Sequence, residues 1–219
     1  MAELPPLRTA HEWVRERLRA DIVAGLYPPG ASLKQTELAH QLGTSVTPVR
    51  EAMRDLAADG LIQIDPQRVA RVRSIDAAEA TEINEIRLLL EPLAARRAAE
   101  HSTPDDLERI RAAALLPDAA ADDTAWLLAN HEFHLRIIEC SRSPHLVGIL
   151  TNLRQISTFH LGALVRTSQE IRRKSSSEHV ALVEAVASGD GDDAARIMRS
   201  HLAPTHQLAG LDKADPEAV

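Results

Sequence analysis

At 219 residues, with 44% hydrophobic and 26% charged residues, the chain has the composition of a globular protein of one large or two small domains. Its single cysteine, Cys140, excludes an internal disulfide framework. With no leader-like start and no apolar run of bilayer length, a cytoplasmic location is the expectation. The net charge is −7, but residues 1–75 hold 10 Lys and Arg against 9 Asp and Glu, while residues 76–219 hold 15 against 23.

A near-neutral first third can still carry a focused basic surface, so the acidity of the rest does not exclude a nucleic-acid partner. Five residues in all are Phe, Trp or Tyr, too few for recognition by base stacking, and duplex DNA is the better fit than single strands or RNA.

In chain order, Thr9 to Ala24 predicts an amphipathic helix with Trp13, Val14, Leu18 and Ile22 on one face. Tyr27-Pro28-Pro29-Gly30 ends it. Between Gln35 and Gly60, two helical segments flank a break at Leu42-Gly43-Thr44-Ser45: Leu38, Ala39 and Leu42 share one face, and Val49, Ala52, Met53 and Leu56 another. Gly43 is suited to the left-handed residue ending the first helix, Ser45 or Thr47 to capping the second, and Pro48 to its first turn. Helix, tight turn and helix is the arrangement whose second helix enters the DNA major groove. Leu61 to Ile64, a turn through Arg68, and Val69 to Arg73 then alternate as a β-hairpin wing carrying Arg68, Arg71 and Arg73. Thr44, Ser45, Thr47, Arg50, Arg54, Arg68 and Arg71 are therefore the candidate DNA-contacting residues.

Three stretches carry a family resemblance: Ile22-Val23-Ala24-Gly25-Leu26-Tyr27-Pro28-Pro29-Gly30, Glu37-Leu38-Ala39, and Thr47-Pro48-Val49-Arg50-Glu51-Ala52-Met53-Arg54-Asp55-Leu56. Residues 7–74 resemble the winged helix-turn-helix of GntR-type bacterial transcriptional regulators. Two positions depart from that pattern. Val46 stands where the family usually has Arg, and Val69 where it has a wing-tip Gly. Losing that Arg leaves Arg50, Arg54 and the wing to do more, and an unusual operator preference is expected.

From Asp76 onward the periodicity is helical throughout. Asp76 with Glu79 opens a helix to about His101 with Ile83, Ile86, Leu90, Leu93 and Ala94 on its apolar face. Thr103-Pro104 starts a shorter one through Leu116, and Thr124 to Cys140 follows. Ser143-Pro144 starts another to about Val165, Thr167 with Glu170 and Ser175 with Glu178 mark two further starts, and the last helix runs from Asp190 to about Leu208. The expected fold is mainly α: a winged helix-turn-helix domain with a small hairpin (1–75), an all-helical antiparallel bundle (76–210) and a disordered tail (211–219).

Histidines are the informative bundle residues. His134 with Asn130, His179 and His201 each fall on the apolar side of a different helix. Singly, each suits a hydrogen-bonded core position; together they make a credible set of ligands for Zn²⁺ or a similar divalent ion, with Ni²⁺ or Mn²⁺ as alternatives. Residues 76–210 are similar to the all-helical FCD effector domain of the FadR-like branch, through Asn130-His131-Glu132-Phe133-His134, Glu178-His179-Val180-Ala181-Leu182-Val183-Glu184-Ala185 and Met198-Arg199-Ser200-His201-Leu202. That resemblance implies a metal held by one Asp and three His; Asn130 stands in the Asp position, leaving the site one charge more positive and favouring an anionic ligand. Arg87, on the core-facing stripe of Ile83, Leu90 and Ala94, suits either an internal ion pair, with Glu91 for example, or the carboxylate of an effector. The resemblance implies the latter, a small organic acid; Arg154 and His160, on the helix of Leu150, Leu153, Ile156 and Leu164, are weaker pocket candidates that better suit core or interface roles.

The function expected is that of a cytoplasmic, homodimeric transcriptional repressor without enzymatic activity, which binds operator DNA and answers to a small carboxylate. Two rivals use the same histidines. A metal-dependent hydrolase lacks support, since there is no HExxH and the helical phase of Glu178 points it away from His179. A metal-free regulator would use them as polar core.

Overall fold

The computed structural model describes residues 9–65, 69–165 and 169–211, with side chains outside 159–171 and 205–211. The chain divides into two compact units, residues 1–74 and 75–219.

In the first unit, α1 (Ala10–Val23) packs on α3 (Val46–Ala58), which follows α2 (Gln35–Gln41). Thr9 and Glu12 form a reciprocal capping box at the start of α1. Val14, Leu18 and Ile22 meet Val49, Met53 and Leu56 in a core where all are essentially inaccessible. Trp13, expected on that face, is 44% exposed, because α1 turns only one side to α3. The turn between α2 and α3 is closed by backbone alone: Gly43 has φ +62°, its N–H donates to His40 O (3.3 Å), and Thr44 N–H donates to Ala39 O (3.0 Å). This is the paired bonding of a Schellman motif. Ser45 occupies the cap position of α3, but its side chain makes no cap bond.

The wing holds a strand that sequence periodicity misses. β2 (Ile62–Ile64) and β3 (Ala70–Val72) form the expected hairpin, and β1 (Ser32–Leu33) pairs antiparallel with β3 through Ser32↔Arg71 and Leu33↔Ala70. The order is β1-β3-β2. Two residues are too few to show alternation, and only pairing reveals them.

The second unit is helical among its described residues: α4 (Ala77–His101), α5 (Pro104–Leu115), α6 (Asp123–Cys140), α7 (Pro144–Val165), α8 (Gln169–Ser188) and α9 (Gly191–Leu211). Asp76, Thr103 and Asp122 cap α4, α5 and α6 by accepting from the N–H groups of Glu79, Asp106 and Ala125. α4 lies most extensively against α9, and Phe133, Ile137, Leu182, Met198 and Ala98 fill the space between α4, α6, α8 and α9. Leu93, expected on the apolar face of α4, is 39% exposed because the buried stripe runs through Arg87, Glu91 and Ala94 instead.

Ser175 and Glu178 do not begin a helix. α8 runs through them, and Ser176 and Ser177 donate back to the carbonyls of Arg172 and Lys174 within the helix, a bonding mode open to serine where no terminus is needed. Arg68, the side chain of His160, Thr167 and residues 212–219, with the expected tail, lie outside the described residues. No described helix is long and apolar enough to cross a membrane.

Candidate functional site

In the first unit the polar end of α3 faces outward. Ser45, Thr47, Arg50 and Arg54 are exposed and Thr44 is partly so. Arg15 donates to Asp59 (3.1 Å), Arg17 to Asp21 (2.9 Å) and Lys34 to Glu37 (2.7 Å). Arg50 and Arg54 have no ion-pair partner among the described residues. A groove lined by Lys34, Gln35, Thr36, Arg50, Arg54, Ile64 and Val69 runs from the start of α2 past α3 to the wing. Arg71 is exposed on the middle strand. Lys34, Gln35 and Thr36 join this surface through β1, which sequence periodicity could not place.

In the second unit three helices bring the histidines together. His134 (α6), His179 (α8) and His201 (α9) each offer a ring nitrogen, all within 4.8 Å of one another. His134 Nε2 lies 3.0 Å from His201 Nε2, with the two rings stacked at 29°. Phe133 covers the His179 ring at 4.1 Å between centroids. Asn130, one turn before His134 on α6, lines the same cavity, and its Oδ1 is buried without a hydrogen-bond partner. His179 Nδ1 is likewise buried without one, while its Nε2 is 3.3 Å from Ser175 Oγ.

A carboxylate lies beside the outer nitrogen of each of two rings, and one of them is hydrogen-bonded to it. Glu178 Oε2 is 2.8 Å from His201 Nδ1, and Glu91 Oε2 is 3.3 Å from His134 Nδ1. Glu178 therefore reaches the cluster, contrary to its helical phase: its side chain bridges from α8 to α9 rather than following its own helix face. Glu178 favours the His201 tautomer with the proton on Nδ1. The Nε2 lone pair of His201 then faces His134 Nε2 at 3.0 Å, open to a hydrogen bond from that ring or to a cation held by both. Nitrogens about 2.0–2.1 Å from a tetrahedral Zn²⁺ stand roughly 3.4 Å apart, close to the 3.0 Å between His134 and His201. Three imidazole nitrogens and one amide oxygen thus fit a divalent borderline metal.

Charge at the floor of the site is partly offset by Glu91, which has no exposed surface. Arg154 Nη1 donates to both of its oxygens (3.0 and 2.8 Å), and Arg87 Nε donates to Oε1 (2.7 Å). Arg87 Nη1 also donates to Asn84 Oδ1 (2.9 Å) and Ser157 Oγ (2.5 Å). Burial alone would raise the Glu91 carboxyl, but Arg154 and Arg87 outweigh it and hold it well below its usual range. Burial lowers Arg154 to about 10, offset in part by Glu91. Burial, then the charge of Arg154, pushes His134 well below the ordinary histidine value. Burial, with His201 and Arg154, lowers His179 to about 2. Both rings are neutral at physiological pH, the form that ligates metals.

A cavity of about 80 Å³ opens beside the histidines, lined also by Arg87, Trp126, Arg154, Thr158 and Lys174. Of the two arginines expected to meet a ligand, both line it, and both are already engaged by Glu91.

A family model described as FCD domain matches residues 82–204, and one described as bacterial regulatory proteins, gntR family, matches residues 10–72. The chain is 31% identical over 212 residues to the HTH-type transcriptional repressor RspR of Escherichia coli (strain K12), covering 91% of this chain and 89% of the relative. It is 30% identical over 215 residues to a Paenarthrobacter nicotinovorans protein named probable D-xylose utilization operon transcriptional repressor, covering 94% and 93%. The solved structure of E. coli McbR/YncC superposes with a TM-score of 0.73 at 27% identity, covering 92% of this chain and 99% of that one.

Proposed function

The chain belongs to the gntR family of bacterial regulatory proteins, a DNA-binding transcriptional regulator with an FCD domain, and on that premise we propose that it is a homodimeric repressor gated by a metal and a small carboxylate. Two first units read a duplex, with the end of α3 (Thr44, Ser45, Thr47, Arg50 and Arg54) at the major groove and Arg68 and Arg71 of the wing at the backbone or minor groove. The repressor names of two full-length relatives support the direction of control.

In the bundle, Asn130, His134, His179 and His201 would hold the metal, with Zn²⁺ suiting three imidazoles and Ni²⁺ or Mn²⁺ as alternatives. Bound there, the metal would supply a Lewis-acidic centre for an anionic ligand. The observation that carries this reading is the convergence of ring nitrogens from His134, His179 and His201 within 4.8 Å of one another, beside the buried Oδ1 of Asn130. Arg87 and Arg154 against one Glu91 leave the buried floor with one unbalanced positive charge, which favours an anion in the cavity. Both guanidiniums are fixed by Glu91, so their part is to present a held positive wall. A carboxylate controls DNA binding to the extent that it binds the two states of the protein unequally.

The test uses full-length protein and double-stranded fragments from its own genomic neighbourhood. Elemental analysis should find about one divalent ion per chain, and DNA binding should be salt-sensitive and altered by chelator or by small carboxylates. Metal-free protein whose DNA binding ignores chelator would overturn the metal half. Indifference to every duplex would overturn the whole.

A further inference from the structure

The leading turn of α3 carries a feature that the DNA-binding reading leaves unused. Val46, its first residue, is 38% exposed, while Val49, Met53 and Leu56 of the same helix are 1% exposed or less. The core of the unit is complete without it, and the α2–α3 turn is closed by the bonds of Gly43 and Thr44. Its neighbours in the chain, Ser45 and Thr47, are exposed as well. Val46, Arg50 and Arg54 follow each other at four-residue spacing, so the three lie along one stripe of the helix. The two arginines have no ion-pair partner among the described residues, and each can take a phosphate or a guanine edge.

An apolar group at the head of that stripe asks for an apolar partner. Polar donors and acceptors fill most of the major-groove edges of the base pairs; the C5-methyl of thymine is the apolar exception. In a helix-turn-helix the N-terminal residues of the second helix come closest to the base edges. We infer that Val46 is a specificity-determining residue that packs against a thymine methyl, selecting T·A at one position for each bound winged unit. This rests on the DNA-binding reading above and deepens it: Arg50 and Arg54 anchor the helix, and Val46 chooses a base. A branched, rigid side chain suits the role, since little rotamer freedom is lost on contact.

The experiment starts from duplexes that the full-length protein selects from a random-sequence pool. Each thymine of a selected duplex is replaced in turn by uracil, which removes only the methyl, and affinities are compared for the native protein and Val46→Ser. Burying one methyl corresponds to about a fourfold change in affinity. The native protein should lose about that factor at one thymine per bound unit, and Val46→Ser should bind the thymine and uracil duplexes there equally. Its response to substitutions elsewhere, its salt dependence and its thermal unfolding should match the native protein. The assignment is overturned if no thymine responds to methyl removal, or if the response persists undiminished in Val46→Ser. Selection of no duplex at all is a separate result, and it would sink the DNA-binding reading itself.

Discussion

Arg154 Nη1 sits 3.0 and 2.8 Å from the two oxygens of Glu91, joining α7 to α4 through a carboxylate that has no exposed surface. Arg87 shares that carboxylate, and His134 rests against it. Glu91→Gln would leave two guanidiniums buried with a neutral partner, a loss of about 3–5 kcal/mol for breaking a buried pair. Urea unfolding monitored by circular dichroism should show it. A change below about 1 kcal/mol would mean that water reaches these groups.

Metal affinity should respond in opposite directions to two substitutions. Asn130→Asp replaces a neutral oxygen donor by an anionic one in a positively charged site and should tighten binding. Glu178→Gln removes the carboxylate behind His201 and should weaken binding by about 10- to 100-fold. Competition against a chromogenic chelator measures both. Equal affinity in all three proteins would remove these residues from any metal site.

Asp106 links the start of α5 to Arg142, two residues beyond the end of α6. It accepts from Thr103 N–H (2.9 Å) and Thr103 Oγ1 (2.8 Å), and from Arg142, which has φ +53°. The Thr103 backbone bond, against the cost of burial and with help from the Thr103 hydroxyl and Arg142, holds its carboxyl below the ordinary value. A folded-state value below the unfolded one gives stability that is present above about pH 4 and lost as pH falls through the folded value. Asp106→Asn should cost about 1–2 kcal/mol at pH 7. The gap in Tm should close as pH drops below the carboxylate range; a gap independent of pH would contradict this account.

Arg50→Ala and Arg54→Ala should each weaken operator binding and lower the dependence of affinity on salt by about one counterion. Neither guanidinium is tied to another described residue, so Tm should stay within about 1 °C of the native protein. Native affinity in Arg50→Ala would remove α3 from the groove.

Much of the fold is legible in the chain because helical phase and cap chemistry are local. Thr103-Pro104, Asp76 and Gly43 mark termini where the structure has them, and the apolar phases of α6, α8 and α9 are enough to bring His134, His179 and His201 to one place. What is not legible is what depends on pairing between distant segments. β1 exists only because β3 lies beside it. Glu178 joins the site because a long side chain crosses to His201. Serines 175 to 177 mimic a helix start until the helix before them supplies acceptors for two of their hydroxyls.

The backbone-sealed bend at Gly43 has an evolutionary corollary. Thr44 contributes only its amide to that seal, and the Ser45 side chain makes no cap bond. Mutations at 44, 45 and 46 can therefore accumulate with little penalty in folding. A lineage that duplicated such a gene could drift towards a new promoter by altering three adjacent codons, while the scaffold that presents them stayed the same.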